Sequence, residues 1–426
     1  MKKQFQALLS FLLLLLLTSL ASAQISQSER LKILDKVWNT IYKKYYDPHF
    51  NGVNWNEIRK IYRPHIEAAK DDAEVYAIIK QMVGDLRDIH TSFRTPQEVE
   101  ASKRNLTIGV GLWLGEAEGK TVIFGVEPDS EAARAGLRIG TIVSRIDGRD
   151  TTEILTEKRA KLKSSSLNAV DRMAYARLLS GAENTSVRLN VQEPNELTER
   201  EVTLIRRVVK SSTISETQFT SRRLPSGVGY VRFDEFDFKA LKQFKKALAE
   251  FKDTKGLVVD LRFNRGGYHY AMSEMAEPLF AEKVSFGKTI TRTGKVPKFL
   301  GISLIPKETF VGEEGEQRYA APIVILISNY SASAAEHFAA GMQETGRAKV
   351  VGGRSCGCML GITGKTKING GELYVSQFDF VTAGGKRIEQ IGVMPDLTVV
   401  PTVIDVQSGF TKAIIEGENL LISSLN

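Results

Sequence analysis

The sequence predicts an α/β protein with a helical N-terminal domain and a β-rich domain inserted ahead of its main sheet, and three changes of periodicity carry that prediction. Residues 28–89 show helical spacing, residues 105–209 read as short strands broken by turns, and from residue 227 strands alternate with helices. The last pattern belongs to a sheet covered by helices. A length of 426 residues allows two or three domains, and 42% hydrophobic with 25% charged residues is enough to bury sizeable cores. Disordered, collagenous and polytopic membrane classes are thereby excluded.

Taken in order, residues 1–23 form a signal peptide. Lys2 and Lys3 precede an apolar run from Ala7 to Leu17, and Ala21-Ser22-Ala23 is an A-x-A cleavage site. Export to the periplasm or outside is expected, and no other stretch approaches the roughly 20 apolar residues of a spanning helix. The helical domain follows over 24–104. Leu31, Leu34, Val37, Trp38, Ile41 and Tyr45 share one helix face, and Val75, Ile78, Ile79, Met82 and Leu86 another. The inserted domain, 105–209, is read as strands at 107–114, 121–126, 142–146, 186–191 and 201–206, with helical patches at 130–135 and 169–179. The α/β domain, 210–426, is read as strands at 228–233, 256–261 and 323–327 with helices at 238–251, 270–280 and 333–345.

Lys plus Arg outnumber Asp plus Glu by 58 to 50, but the excess is scattered, so no nucleic-acid surface is expected. Cys356 and Cys358 are too few for a disulfide scaffold and not spaced like a zinc site. A bridge between them would close across one glycine and is expected to be strained. Lining a loop is their expected role. No metal or organic cofactor is implied.

The chemistry is expected near residue 333. An apolar strand at 323–327 runs into Ser328-Asn329-Tyr330-Ser331-Ala332-Ser333 and then a helix. A serine on such a turn is exposed, and the helix N-terminus offers free N–H groups to a developing oxyanion. Serines at helix starts are also common caps, so position alone does not separate Ser331 from Ser333. Of the five histidines, His49 and His65 sit beside prolines, and His337 lies one turn beyond Ser333 on the same helix. His90, in Asp88-Ile89-His90-Thr91, and His269, after Gly266-Gly267, remain as candidate bases.

In the inserted domain, the Gly-rich run Ile108-Gly109-Val110-Gly111-Leu112-Trp113 and the string from Ser130 to Gly148 resemble a PDZ domain. That resemblance implies capture of a peptide's terminal carboxylate at Val110, Gly111, Leu112 and Trp113, with the peptide added as a strand. Asp260-Leu261-Arg262-Phe263-Asn264-Arg265-Gly266-Gly267, the Ser331–Glu336 turn, Gly346–Gly352 and Gly392-Val393-Met394-Pro395-Asp396 resemble the carboxyl-terminal processing (tail-specific) proteases, the S41 serine peptidases.

The resemblance spans nearly the whole chain after the signal peptide. It implies a peptidase core similar to the ClpP/crotonase fold, a PDZ-like insertion, and protein or peptide substrates held by their C-terminal tails. Ser333 becomes the nucleophile and Ser331 a turn residue. Many members pair the nucleophile with a lysine 25 residues later, but here that position is Cys358. The branch similar to tricorn protease uses Ser-His-Glu, and His90 and Glu389 match its motifs. The implied oxyanion hole is the N–H of Ala334 with one from Gly266 or Gly267. The competing readings are a degenerate peptide-binding protein, a Ser-Lys protease using Lys365 or Lys367, an acyl-CoA enzyme of the related fold, and a cysteine nucleophile.

Overall fold

A computed structural model describes residues 25–104, 106–164, 166–196, 198–210, 219–296, 298–299, 302–303, 305–314 and 319–425. The expected signal peptide lies outside the described residues. The main sheet has six strands in the order Thr220–Arg223, Gly229–Arg232, Leu257–Asp260, Ile323–Ile327, Ala348–Gly352 and Leu397–Thr398. The first pair is antiparallel and every later pair parallel.

Both faces of this sheet are covered, which is why its central strands read as continuous apolar runs rather than alternating ones. Val259, Ile325 and Ile327 point into a core shared with Phe244, Met272, Met275 and Phe338 of the helices Phe238–Glu250, His269–Ala276 and Ala334–Glu344. Val258, Val324 and Leu326 point the other way, onto Ala413, Ile414 and Leu421 of the helix Lys412–Ser423.

The N-terminal helices Gln27–Lys44, Trp55–Ala68 and Asp72–Gly84 each begin with a capping side chain. Ser26, Asn54 and Asp71 accept the N–H of a glutamate three residues on, respectively Glu29, Glu57 and Glu74. Leu34, Val37, Ile41, Val75, Ile79 and Met82 are buried between them, while Leu31, Trp38 and Ile78 pack at the rim. This core is not closed by the N-terminal residues alone. Leu360, Ile368, Leu373 and Val375 complete it, because the short strand Ser92–Arg94 pairs antiparallel with Gly371–Tyr374.

The middle region leaves and rejoins the chain through a two-stranded ribbon of Leu106–Gly109 with Arg207–Lys210. Beyond it lies an antiparallel sheet in the order Leu112–Ala117, Lys120–Val126, Ile142–Ile146, Ser186–Gln192 and Arg200–Ile205. The strand expected at 107–114 is two strands. Gly111, at φ 80°, breaks it, and a Cβ there would stand 2.1 Å from that of Ser130. Trp113 packs edge-on against Phe263 and Tyr330 of the α/β part, so this residue of the expected peptide-binding run also seals an internal contact.

Candidate active site

Three loops meet at the C-terminal edge of the parallel strands, where open α/β sheets place their ligand crevices. They follow Leu257–Asp260, Ile323–Ile327 and Ala348–Gly352, and carry Gly266-Gly267, Ser333 and Cys356-Gly357-Cys358 respectively.

Ser331 is fully buried. Its hydroxyl donates to the Leu261 carbonyl at 2.7 Å and accepts the Ser328 N–H at 3.0 Å, which commits it to shaping the turn. Ser333 is half-buried and has backbone angles φ 56°, ψ −120°. A non-glycine residue held there costs about 1–3 kcal/mol and persists only where its surroundings fix it. Here the Ser333 N–H is donated both to the Cys358 carbonyl and to Glu336 Oε2, each at 3.0 Å.

Glu336 is the residue that sequence reasoning passed over. It is fully buried, and its carboxylate receives Ser355 Oγ–H (2.6 Å) and Gly357 N–H (2.7 Å) on Oε1, with Cys358 N–H (2.9 Å) and Ser333 N–H on Oε2. Burial pushes its pKa up, and those donors oppose the shift. The available signal was the Ser-x-x-Glu spacing of a helix start.

His90 lies just before the strand Ser92–Arg94. Asp88 fixes this turn by accepting the His90 N–H (2.8 Å) and the Thr91 hydroxyl (2.6 Å). The backbone carbonyl of Cys358 lies against the His90 ring. Burial holds the imidazole below its usual pKa, with the Asp88 carboxylate and the Cys358 carbonyl opposing. His90 Nε2 is buried and has no hydrogen-bond partner among the described residues. The Cys358 carbonyl thus touches both the backbone of Ser333 and the ring of His90.

Glu389 is buried, and its Oε2 accepts the N–H groups of Met359 (2.6 Å) and Leu360 (3.2 Å). Burial, reinforced by the negative charges of Asp88, Asp379 and Glu336, pushes its pKa up to about 8 against the pull of the Met359 N–H. The other candidate bases point elsewhere. His269 Nε2 bonds the Thr309 hydroxyl at 2.8 Å, and burial lowers its pKa to about 4. Lys365 is exposed on a hairpin strand and paired with Glu372 Oε1 at 2.5 Å, which raises its pKa and keeps it protonated. Lys367 is exposed on the same strand.

Gly266 packs directly under the serine turn. A Cβ on it would lie 2.7 Å from Ser333 Cβ and 2.8 Å from the Ala332 carbonyl, at φ 100°. Its N–H is donated to Asn264 Oδ1 at 2.8 Å. The sequence also gave no hint that the middle region reaches this site. From the start of its helix Leu167–Ala176, Ser166 Oγ donates to the Cys356 carbonyl, Asn168 Nδ2 donates to the Ser355 carbonyl at 2.7 Å, and Arg172 Nη1 lies 3.2 Å from Cys356 Sγ. Cys356 and Cys358 are joined by a disulfide. Among the described residues no His/Cys/Asp/Glu group could hold a metal ion, and no helix is long and apolar enough to cross a membrane.

A serine at a helix start, on the C-terminal edge of a parallel sheet, is placed as the nucleophile of a serine-type peptidase would be. Residues 227–399 match the model of peptidase family S41, and residues 26–84 match the tricorn protease C1 domain. Residues 227–399 are thus similar to an S41 peptidase domain, and the chain is a serine-type peptidase acting on protein substrates. It is 27% identical to a carboxyl-terminal-processing protease of Synechocystis sp., over 88% of this chain and 82% of that protein. It is 28% identical to the chloroplastic carboxyl-terminal-processing peptidase 3 of Arabidopsis thaliana, over 91% of this chain and 72% of that one. Its fold is similar to the photosystem II D1 C-terminal processing protease (TM-score 0.54, 23% identity, 88% and 95% of the two chains). It is also similar to mature CPAF with lactacystin (TM-score 0.72, 15% identity, 93% and 99%).

Proposed function

We propose that the chain is an exported serine endopeptidase that uses Ser333, His90 and Glu389 and takes its substrates by their C-terminal tails through a PDZ-like middle domain. The observation that carries the triad is the Cys358 carbonyl, shared between the Ser333 N–H and the His90 ring while Lys365 is committed to Glu372. His90 Nε2, which has no other partner among the described residues, takes the Ser333 proton during attack on the peptide carbonyl and returns it to the leaving amine. Glu389 orients the imidazole and, in its ionised form, stabilises the cation. The oxyanion is received by the N–H groups of Ala334 and Gly267, since that of Gly266 is already donated to Asn264. Support for tail recognition comes from the names of the relatives, which are carboxyl-terminal-processing enzymes, and from the Gly111 turn at the head of an antiparallel sheet.

Hydrolysis of fluorescently labelled, unfolded casein tests the triad. Ser333→Ala and His90→Ala should each lose several orders of magnitude in kcat, and Glu389→Gln less, because it accepts no proton. The rate should rise through a pKa below the ordinary 6.5 of histidine, the direction in which burial moves His90. Full activity in His90→Ala together with loss in Lys365→Ala would establish the Ser-Lys reading instead. For tail capture, a peptide ending in a free carboxylate should bind more tightly than its amide, and equal affinities would remove the PDZ-type role.

A further inference from the structure

We propose that the Cys356–Cys358 disulfide is a positioning element of the active site, and that its reduction switches the peptidase off; this rests on the Ser333–His90 reading above. The tripeptide Cys356-Gly357-Cys358 touches the segments that carry Ser333, His90 and Glu389. The Cys356 N–H is donated to the Ser331 carbonyl at 2.9 Å, and the Cys358 carbonyl accepts the Ser333 N–H at 3.0 Å. The N–H groups of Gly357 and Cys358 are donated to Glu336. The Gly357 carbonyl accepts the Gln390 N–H at 2.8 Å, next to Glu389, and the following N–H, that of Met359, is donated to Glu389 itself. The same Cys358 carbonyl faces His90. From the middle region, Ser166 holds the Cys356 carbonyl.

Without the bridge, this tripeptide is held by those backbone hydrogen bonds alone. Gly357 sits at φ 68°, a conformation that only glycine adopts freely, and glycine has the largest backbone entropy to lose. A bridge between its two neighbours confines that freedom where the Cys358 carbonyl must meet Ser333 and His90. Both cysteines are 1% exposed and packed among Ala169, Ala332 and Ile89. On reduction, one thiolate of a dithiol attacks a cysteine sulfur and the S–S bond breaks. The reductant's second thiol then displaces the first cysteine. Two electrons and two protons end on Cys356 and Cys358 as thiols, and the reductant leaves as a cyclic disulfide. Two non-bonded sulfurs must then move apart to van der Waals distance inside a packed site. The atom displaced most directly is the Cys358 carbonyl, and a nucleophile or base misplaced by about 1 Å costs on the order of 100-fold in rate.

The test uses the full chain in three forms: as purified, reduced with dithiothreitol, and as the C356S/C358S variant. The redox state of each is read by alkylation and mass spectrometry, and casein hydrolysis is followed across pH. The oxidised enzyme should be active. Reduction and C356S/C358S should each lower kcat by roughly 10- to 100-fold with KM within about threefold, reoxidation should restore the wild type, and the variant should ignore the reductant. In both perturbed forms the acid limb of the pH–rate profile should move lower, because His90 loses the Cys358 carbonyl; a purely structural staple would leave that limb in place. Should C356S/C358S fail to fold, the wild-type reduction series decides alone. Free thiols in the native protein, unchanged activity after verified reduction, or activity that rises on reduction would each overturn the proposal. Ser333→Ala separates the two readings: if it is inactive while reduction has no effect, only the disulfide proposal fails, and if it is active, the site itself has been misassigned.

Discussion

Replacing Glu336 by glutamine changes one atom and should disable the site. The carboxylate receives four donors, two on each oxygen, and an amide presents one oxygen and one NH2, so either orientation turns a donor toward donors. The less damaging orientation places the NH2 toward Ser355 and Gly357. The Ser355 hydroxyl can rotate to accept, although it already accepts the Val393 N–H, but the Gly357 N–H is left unpaired. A buried unsatisfied N–H costs about 1–3 kcal/mol, and the two bonds that survive on the other oxygen lose about 1 kcal/mol each on becoming neutral. The amide is cheaper to bury than the carboxylate, which offsets part of this, so the expected net loss is about 2–4 kcal/mol. The damage falls on Ser333 and the 355–358 loop, so kcat should drop roughly 10- to 100-fold. Denaturant midpoints and casein kinetics on the purified variant measure both effects. A kcat within threefold of wild type together with an unchanged midpoint would refute the claim that this carboxylate holds Ser333 in its strained conformation.

Gly266→Ala should cut kcat by a similar factor without removing any functional group, because the new methyl meets Ser333 Cβ at 2.7 Å and a backbone carbonyl at 2.8 Å; turnover near wild type would mean that the glycine shelf yields. Glu389→Gln should lose activity and gain stability in base. Its pKa, raised to about 8 in the fold, means that ionising it opposes folding, a stability lost as pH rises from about 4.5 through 8 and worth about 3 kcal/mol at pH 7. The melting temperature should therefore rise relative to wild type at pH 8 and not at pH 5. His337 titrates the other way. Burial lowers its pKa to about 3, so the stability it permits is complete above about 6.5 and is lost as pH falls toward 3, about 2–3 kcal/mol by pH 4.5. His337→Phe should flatten that acid loss in denaturant titrations, and an unchanged slope would show that the acid sensitivity lies elsewhere.

What the sequence disclosed was what local periodicity encodes. The strand at 323–327, the turn after it and the helix beyond are readable because a buried strand, a small-residue turn and a helix of small and apolar residues each carry their own pattern, and the helix is one residue shorter at either end than expected. The strands Val284–Thr291, Glu308–Val311 and Phe378–Val381 went unread. They form their own small antiparallel sheet from segments far apart in the chain, and pairing at that distance leaves no local trace. Gly111 was noticed as a glycine, but whether it continues or breaks a strand depends on Ser130 standing against it. Within the site, local reading leaves Ser331 beside Ser333 and His269 beside His90, and only the motifs of the family resemblance single out Ser333, His90 and Glu389. The roles of Glu336 and of Ser166, Asn168 and Arg172 depend on which backbone groups face them, and that is a property of the assembled fold. The same holds for the disulfide, whose two sulfurs meet because Ser331, Ser333 and Glu336 grip the intervening peptide units.

The pairing of Ser92–Arg94 with Gly371–Tyr374 has a consequence for synthesis on the ribosome. The strand that follows His90 finds its partner only after almost three hundred further residues have been translated, and Glu389 emerges later still. Until residues 360–375 have been made the helical segment keeps an open apolar edge, and until residue 389 has been made the serine turn and His90 lack the buried carboxylate of the proposed triad. On the proposed triad, a product truncated ahead of residue 389 is therefore expected to be inert.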